Sequence, residues 1–567
     1  MNSMSKFAGC SPPSHRPLRC SNCSFVSPFH SRRTLGTRSL KKFSTRIYCQ
    51  MAAPLREHGA QDRESLLEGI VHDSAALIDL VEDAVSWCNH HGLVYGAGIS
   101  DLPVATVPAP ISLIPVPFPK KSFLGAKRAA TAFNTLADAV SRDDEYLHRV
   151  LAPAARYDPF TARLLELHAR TGNVRASKIQ SGHDFTLSIT RSDYMVHEPT
   201  NALLQVELNT IAASFGCLST LVSRMHRHIL ERYLSMTERT AQMSADDTNK
   251  PGLETILESL PPNNAMEGLA DALGLAVKSH NAPKGIVLMI VQPNERNAYD
   301  QKWLQFTLWE RHGVRTIRKT LAEVAQQARL SGPVGELEVD GQIVSVAYFR
   351  AGYSPDDYPT QTEWEGRELI EQSNAIACPS VAMQLAGAKK IQQDLAGQGV
   401  VEGFLQNQEE AALMRRYFAG LWGLDNLDSV DNVEDVGSVV TDAIDHPERY
   451  VLKPQREGGG NNLYGEALRS KLMQAQKSTS GLEDVGDLIL MERIMPPKHK
   501  AVMIRLGQAA VVDTVSELGI YGTYLRHGEK IVFNQEVGHL VRTKAATSDE
   551  GGVAAGFAVL DSPALLT

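Results

Sequence analysis

Tyr450-Val-Leu-Lys-Pro-Gln-Arg-Glu-Gly-Gly-Gly-Asn-Asn-Leu-Tyr-Gly465 joins a short apolar run to a lysine, a carboxylate and a glycine-asparagine cluster. The run reads as a strand that ends at Lys453. Gly458, Gly459 and Gly460 let the backbone turn tightly and bring N–H groups to an anion. Lys453 adds a point charge suited to phosphate, and Glu457 offers hard oxygen to magnesium. Asn461, Asn462 and Tyr464 complete the loop. The residue order fits neither the P-loop nor the dinucleotide-fold signature. A glycine-asparagine cluster alone equally marks a solvated turn. The flanking lysine and glutamate tip the reading towards a loop that closes over a nucleoside triphosphate and its metal.

The 567 residues are 43% hydrophobic and 22% charged, an ordinary globular profile. No apolar run reaches the roughly 18 residues of a membrane span. The longest clear run, Gly285-Ile-Val-Leu-Met-Ile-Val291, reads as a buried strand. Residues 1–50 carry nine Lys/Arg and no Asp/Glu, so the net −8, less +9, leaves −17 for residues 51–567. Such an acidic body is a poor general nucleic-acid binder. The same 50 residues hold ten serines and no continuous apolar centre. Basic, serine-rich and acid-free is the pattern of an organelle transit peptide. The serines and Met51-Ala-Ala favour a chloroplast address over a mitochondrial one, and Met51 offers a start for a cytosolic form. A basic arm for a polyanion is the competing reading. Cys10, Cys20, Cys23 and Cys49 lie in this leader, and Cys20-x-x-Cys23 lacks the second half of a zinc pattern. Cys88, Cys217 and Cys378 remain, which suits a reducing compartment without disulfides.

Apolar spacing predicts helices over 61–92, 121–172 and 218–234 and strands over 185–190 and 202–211. A proline-rich segment, Leu102 to Pro119, reads as extended. Ala245 to Asn264 reads as a loop. From Gly285 to Val344–Phe349, strands and helices alternate as in a small α/β unit. Residues 400–448 read as mainly helical, and strands follow at 449–453, 487–493, 501–506, 509–517 and 521–526.

Glu207 and Asn209, two apart on a strand, point to one face and make half a magnesium site. Taken alone, an exposed polar face is the better reading of that pair. Arg191 lies beside a strand and suits a carboxylate. Glu295-Arg-Asn-x-x-Asp-Gln301 and Arg350-Ala-Gly-Tyr353 each follow a strand, where open α/β sheets place ligands. Met491-Glu-Arg-Ile494 ends a strand whose backbone could read an adenine edge. Gly538-His-Leu-Val-Arg-Thr-Lys544 precedes the small-residue run Gly551-Gly-Val-Ala-Ala-Gly556, a candidate second lid; a basic turn is the alternative. His226 and His228 read as ordinary surface histidines, since a spacing of two separates them on a helix.

Together these segments resemble the eukaryotic glutathione synthetases of the ATP-grasp superfamily. The resemblance runs from about residue 65 to Thr567. It rests on Gln205-Val-Glu-Leu-Asn-Thr-Ile-Ala-Ala-Ser-Phe-Gly216, Glu295-Arg-Asn297, Gln384-Leu-Ala-Gly-Ala-Lys-Lys390, the 451–465 loop and Gly538–Leu560. It implies an α/β (α+β) ATP-grasp fold with an inserted substrate-binding α/β domain and mobile lid loops. The implied segments are a leader at 1–60, a body at 61–284, the inserted domain at 285–390 and a C-terminal part at 391–567. It implies ligation of γ-glutamylcysteine to glycine by ATP, with two magnesium ions, in a homodimer that engages no nucleic acid or membrane. Glu207, Asn209 and Glu457 would bind metal. Lys389, Lys453, Glu457, the loop Gly458–Asn462, Tyr464, the Met491, Glu492, Arg493 and Ile494 segment, Glu517, Lys544 and Glu550 would hold ATP. Arg191, Ile211, Ala212, Ala213, Ser214, Glu295, Arg296, Asn297, Gln301, Arg350, Tyr353, Arg542, Val553 and Ala554 would surround the other substrates. Arg542, Lys389 and Lys453 are the implied catalytic groups, with Arg542 pairing to a substrate carboxylate. Ala212 stands where the family often has serine, and Glu550 where aspartate is expected. A sister ligase using β-alanine and a non-catalytic nucleotide-binding regulator are the alternatives. The small Ala554-Ala555 pair favours glycine, and the presence of every metal and phosphate ligand opposes the regulator.

Overall fold

The computed structural model describes residues 58–98, 105–243, 250–425, 436–457, 460–478, 481–549, 552–553 and 556–566. Residues 1–57 of the leader, Gly458, Gly459, Glu550, Ala554 and Ala555 lie outside the described residues. The first described helix begins at His58, so the last three residues assigned to the leader are helical.

The centre is a seven-stranded sheet. Four long antiparallel neighbours dominate it: Lys530–Ala545, Gln508–His527, Phe185–His197 and Ala202–Asn209, in that order. Its two faces are covered by different helices. Leu518, Ile520 and Val541 pack with Phe123, Ala126 and Phe133 of the helix Lys120–Ser141. Leu540 and Leu525 pack with Leu218 and Leu221 of Gly216–Met243 and with Leu269 and Leu273 of Ala265–His280. Adjacent residues 540 and 541 enter opposite cores because side chains alternate along a strand. A six-stranded sheet drawn from residues 286–378 carries parallel Ile286–Ile290, Thr316–Lys319, Gln342–Phe349 and Ile376–Cys378 plus a hairpin at 328–339. A third sheet orders Leu421–Gly423, Ile489–Glu492 and Tyr450–Lys453. The architecture is mixed α/β.

Several elements differ from the sequence expectation. The helix expected over 61–92 is broken at Asp73, whose carboxylate accepts the Ala75 and Ala76 N–H groups at 3.1 Å and starts a second helix, Ser74–His90. Asp143 and Asp158 likewise divide 121–172 into three helices, Lys120–Ser141, Asp144–Ala155 and Pro159–Arg170. The expected loop at 245–264 contains the helix Lys250–Glu258, where Leu253 and Ile256 are buried. The strands expected at 509–517 and 521–526 are one, Gln508–His527. Gly519 falls in the gap between the two expected strands and Gly522 inside the second; both sit mid-strand, where neighbouring side chains crowd them. A Cβ on Gly519 would lie 2.8 Å from Arg191 and Asp193, and one on Gly522 would lie 2.3 Å from Asn134. Gly538 to Lys544 lies within the strand Lys530–Ala545, not in a turn. Finally, His226 is fully buried, bonded to Ser562 Oγ at 2.7 Å and to the Ser112 carbonyl at 2.9 Å. Of the pair, His228 is the half-exposed one, bonded to Asp83 at 2.8 Å. Among the described residues no helix is long and apolar enough to cross a membrane.

Candidate active site

Four adjacent strands present one face to a cavity of about 570 Å³. The two-residue period of a strand puts Arg191 with Asp193, Glu207 with Asn209, Glu517 with Gly519, and Arg542 with Lys544. The register sets them side by side: Arg542 opposite Glu517, Gly519 opposite Asp193, Asp193 opposite Glu207, and Arg191 opposite Asn209. A dense field of charge follows directly from strand pairing.

Asp193 is buried at the middle of this face. Its Oδ1 accepts Arg191 Nε at 2.6 Å, and its Oδ2 accepts Arg191 Nη2 at 2.8 Å, Asn209 Nδ2 at 3.0 Å and Arg542 Nη2 at 3.0 Å. Arg542 Nη2 also meets Glu517. These carboxylates raise the pKa of both guanidiniums against the cost of burial. Burial pushes the Glu517 carboxyl up, with Arg542 pulling against it.

The opposite side of the cavity is built differently. Lys453 ends Tyr450–Lys453 and donates to the Val206 carbonyl at 2.9 Å. Its pKa is lowered to about 8 by burial, with Glu207 pulling it back up. Lys389 starts the helix Lys389–Ala396, lies 3.3 Å from both Glu207 and Glu457, and donates to the Arg456 carbonyl at 2.6 Å. Burial acts to raise the Glu207 pKa, but Lys389, Lys453, Arg542 and Arg191 together hold it low. Glu457 moves the other way, because burial outweighs the pull of Lys389 and Glu207 repels it. Antiparallel pairing of Leu452 with Leu463 at 3.0 and 2.9 Å pins the two ends of the glycine-rich loop. Arg456 ties the loop to Asp158 at 2.7 Å.

Glu207, Asn209 and Glu457 are compatible with a hard cation. Glu457 Oε2 is buried without a hydrogen-bond partner. The donor end of the Asn209 amide is engaged by Asp193 and by the Arg191 carbonyl at 3.3 Å, so its oxygen is the end available to a metal. Among the described residues no group of three or more His, Cys, Asp or Glu could hold a metal. The proposed set has only two carboxylates, and phosphate oxygens would have to complete it.

A third wall comes from the turn before the helix Gly216–Met243. Ala212 and Phe215 have φ of 51° and 73°. Asp300 holds this turn by accepting the Phe215, Cys217 and Leu218 N–H groups at 2.9, 3.0 and 3.3 Å. It also pairs with Arg350 Nη1 at 3.1 Å, and Arg350 Nη2 donates to Ser214 Oγ at 2.9 Å. Tyr521 donates to the Ser214 carbonyl at 2.5 Å. Glu295 accepts the Asn297 N–H at 2.8 Å and Gln301 Nε2 at 2.7 Å. Asn297 Oδ1 remains a buried acceptor with no donor.

Most residues singled out from the sequence meet at this cavity. Arg191, Ile211, Ala212, Ser214, Glu295, Asn297, Arg350, Tyr353, Arg542 and Val553 line it from the substrate set. Lys453, Glu457, Asn462, Tyr464, Met491, Glu492, Arg493, Ile494, Glu517 and Lys544 line it from the nucleotide set. Lys389 faces a smaller adjoining cavity that shares Glu457. Three expectations depart from the geometry. Ala213 and Gln301 are buried away from the cavity, and Arg296 is exposed, its carbonyl accepting the Gly96 N–H at 3.0 Å. Gly460 and Asn461 are exposed. Within 491–494, the N–H groups of Glu492 and Arg493 are already bonded to the Gly420 and Arg449 carbonyls at 2.8 Å.

Asp193, Asp300 and Tyr521 were missed. Asp300 lies inside the stretch quoted for Glu295, and the period of two from Arg191 would have found Asp193.

The profile described as "Eukaryotic glutathione synthase, ATP binding domain" matches residues 74–565. The chain is 46% identical over 495 residues to the chloroplastic glutathione synthetase of Solanum lycopersicum, covering 86% of this chain and 84% of that protein. It is 40% identical to the chloroplastic glutathione synthetase of Arabidopsis thaliana (97% and 95% covered) and 39% identical to the glutathione synthetase of Homo sapiens (80% and 90% covered). The solved structure of a glutathione synthetase-like effector from Globodera pallida superposes with a TM-score of 0.63 at 22% identity, covering 87% of this chain and 98% of that one, a likeness of fold. With a profile match spanning most of its length and relatives of such identity, the chain belongs to the eukaryotic glutathione synthase family, whose members are ATP-dependent ligases.

Proposed function

We propose that the chain joins γ-glutamylcysteine to glycine, using ATP to form an acyl phosphate and releasing glutathione, ADP and phosphate. The observation that carries this reading is the pairing of two walls in one cavity. Lys453 and Glu457 suit phosphate and metal; Arg191, Arg350 and Ser214 suit a carboxylate substrate. Magnesium held by Glu207, Asn209 and Glu457 would screen the phosphate charge. Lys453 and Lys389 hold phosphate oxygens. Arg542, fixed through Nη2, turns its remaining edge to a substrate carboxylate. Glu295 and the unpartnered Asn297 Oδ1 accept the ammonium of the dipeptide. Glycine then attacks the acyl phosphate, which must be kept from water, and Val553 closes one side of the cavity.

Residues 285–390 act as the substrate-binding unit. The basic leader directs the chain to the chloroplast: two relatives named chloroplastic support this, and the 97% coverage by one exceeds what residues 58–567 alone could supply. The assembly we infer is a homodimer, which sedimentation of the purified protein tests.

Glu457→Gln removes an anionic metal ligand while keeping the shape. ADP release dependent on both γ-glutamylcysteine and glycine should fall at least ~100-fold. Unchanged turnover removes the metal assignment. Glycine and β-alanine in competition decide the amine: preference for β-alanine overturns the choice of glycine.

A further inference from the structure

We propose that Asp193 is a positioning residue that sets which end of the Asn209 amide faces the metal and locks the two arginines Arg191 and Arg542 in register with it. The proposal rests on the metal reading of Glu207, Asn209 and Glu457. Asp193 is fully buried, yet its two oxygens receive four N–H bonds from three residues on three different strands. A carboxylate has no donor, so it can only accept, and this forces Asn209 to point Nδ2 inward. The Asn209 oxygen is thereby turned towards the cation. The same Oδ2 fixes one nitrogen of each guanidinium, so the anion-binding edges of Arg191 and Arg542 and the metal ligand share one anchor. A glycine faces this anchor across the strand pair. A Cβ at Gly519 would stand 2.8 Å from both Asp193 Oδ1 and Arg191 Cδ, too close for either to hold its place.

The chemistry makes the test specific. In Asp193→Asn, one end of the new amide is a donor. With Arg191 keeping the oxygen end, the donor end meets Asn209, whose amide must reverse and present N–H to the metal. Asn209→Asp then has opposite consequences in the two backgrounds. Beside the native Asp193 it sets two carboxylates together with no proton between them. Combined with Asp193→Asn, it restores an acceptor for the new N–H and an oxygen for the cation.

Mn2+ binding to the purified full-length chain, with a saturating non-hydrolysable ATP analogue, is followed by EPR. Asp193→Asn should weaken Mn2+ at least tenfold. Asn209→Asp should weaken binding in the native background and strengthen it in the Asp193→Asn background. A merely structural aspartate would not reverse the sign. An Asp193→Asn affinity within twofold of wild type, or the same direction in both backgrounds, overturns the proposal. If Asp193→Asn does not fold, Gly519→Ala decides: it keeps every charge but displaces the anchor, and an unchanged Mn2+ affinity overturns the proposal. Turnover is not needed for this readout. A wild type that binds Mn2+ but does not ligate the dipeptide defeats only the proposed reaction, whereas a wild type that binds no Mn2+ defeats the anchor.

Discussion

At the scale of single residues, Lys453 shows how burial changes a charged group. Its ammonium sits inside the protein with a pKa of about 8, so a share of the molecules is neutral at mildly alkaline pH. On the proposed reading that Lys453 meets phosphate, the anion favours the charged form and raises that pKa, so ATP binding should take up a proton. The uptake through Lys453 is expected to be larger at pH 8.5 than at pH 7. Calorimetry in buffers of different ionisation enthalpy measures this, and Lys453→Met should abolish the uptake at pH 8.5. Lys453 was legible in the sequence because it closes an apolar run before three glycines. Its lowered pKa was not, because it depends on Lys389, Glu207 and the surrounding burial, none of which is a neighbour in the chain.

At the scale of elements, Asp300 joins three pieces. It caps the turn entering the helix Gly216–Met243, sits on the helix Ala298–His312, and holds Arg350 beyond the strand Gln342–Phe349. Removing it strands a buried guanidinium and three N–H groups. Asp300→Ala should therefore cost about 3–5 kcal/mol in stability, read by urea unfolding. It should also raise the KM for the dipeptide, because Arg350 and the Ser214 turn lose their common anchor. An unchanged KM with lowered stability would confine Asp300 to a structural part. Element types were largely readable from apolar spacing, but their ends were not. Asp73, Asp143 and Asp158 cut long helical patterns because a side-chain cap outweighs continued spacing. Gly519 did not cut a strand, because crowding by Arg191 and Asp193 of the next strand explains it instead.

At the scale of the whole molecule, buried His168 and His539 and half-buried His499 make the fold sensitive to acid. Burial lowers the pKa of His168 and His499 to about 4 and that of His539 to about 3. These rings are neutral in the folded protein but take up protons near pH 6.5 when unfolded. The unfolded chain thus binds more protons below pH 6.5, and stability falls as pH drops from about 6.5 towards 4, levelling only below the folded pKa values. Each histidine contributes up to about 1.4 kcal/mol per pH unit in that window. His539 is the clearest case, since both ring nitrogens are buried without partners and the ring meets Phe123 edge-on at 5.1 Å. Urea unfolding at pH 7 and pH 5 should show a shallower loss for His539→Leu than for wild type. An equal loss would place the acid sensitivity elsewhere.

The chain by itself determined the family, through five ordered motifs, and most of the residues that meet at the cavity. Those are properties of residue type and local order: a lysine before glycines, two oxygens two apart on a strand, an arginine just past a strand. Only the tertiary structure decided how they are coupled. Strand register set Arg542, Glu517, Gly519, Asp193 and Arg191 side by side, although more than 300 positions separate residues 191 and 517. That register made Asp193 a shared anchor, bridged Glu207 and Glu457 through Lys389, and buried His226 against Ser562. Long-range pairing depends on which hydrophobic faces close together, and no local pattern in the chain specifies it.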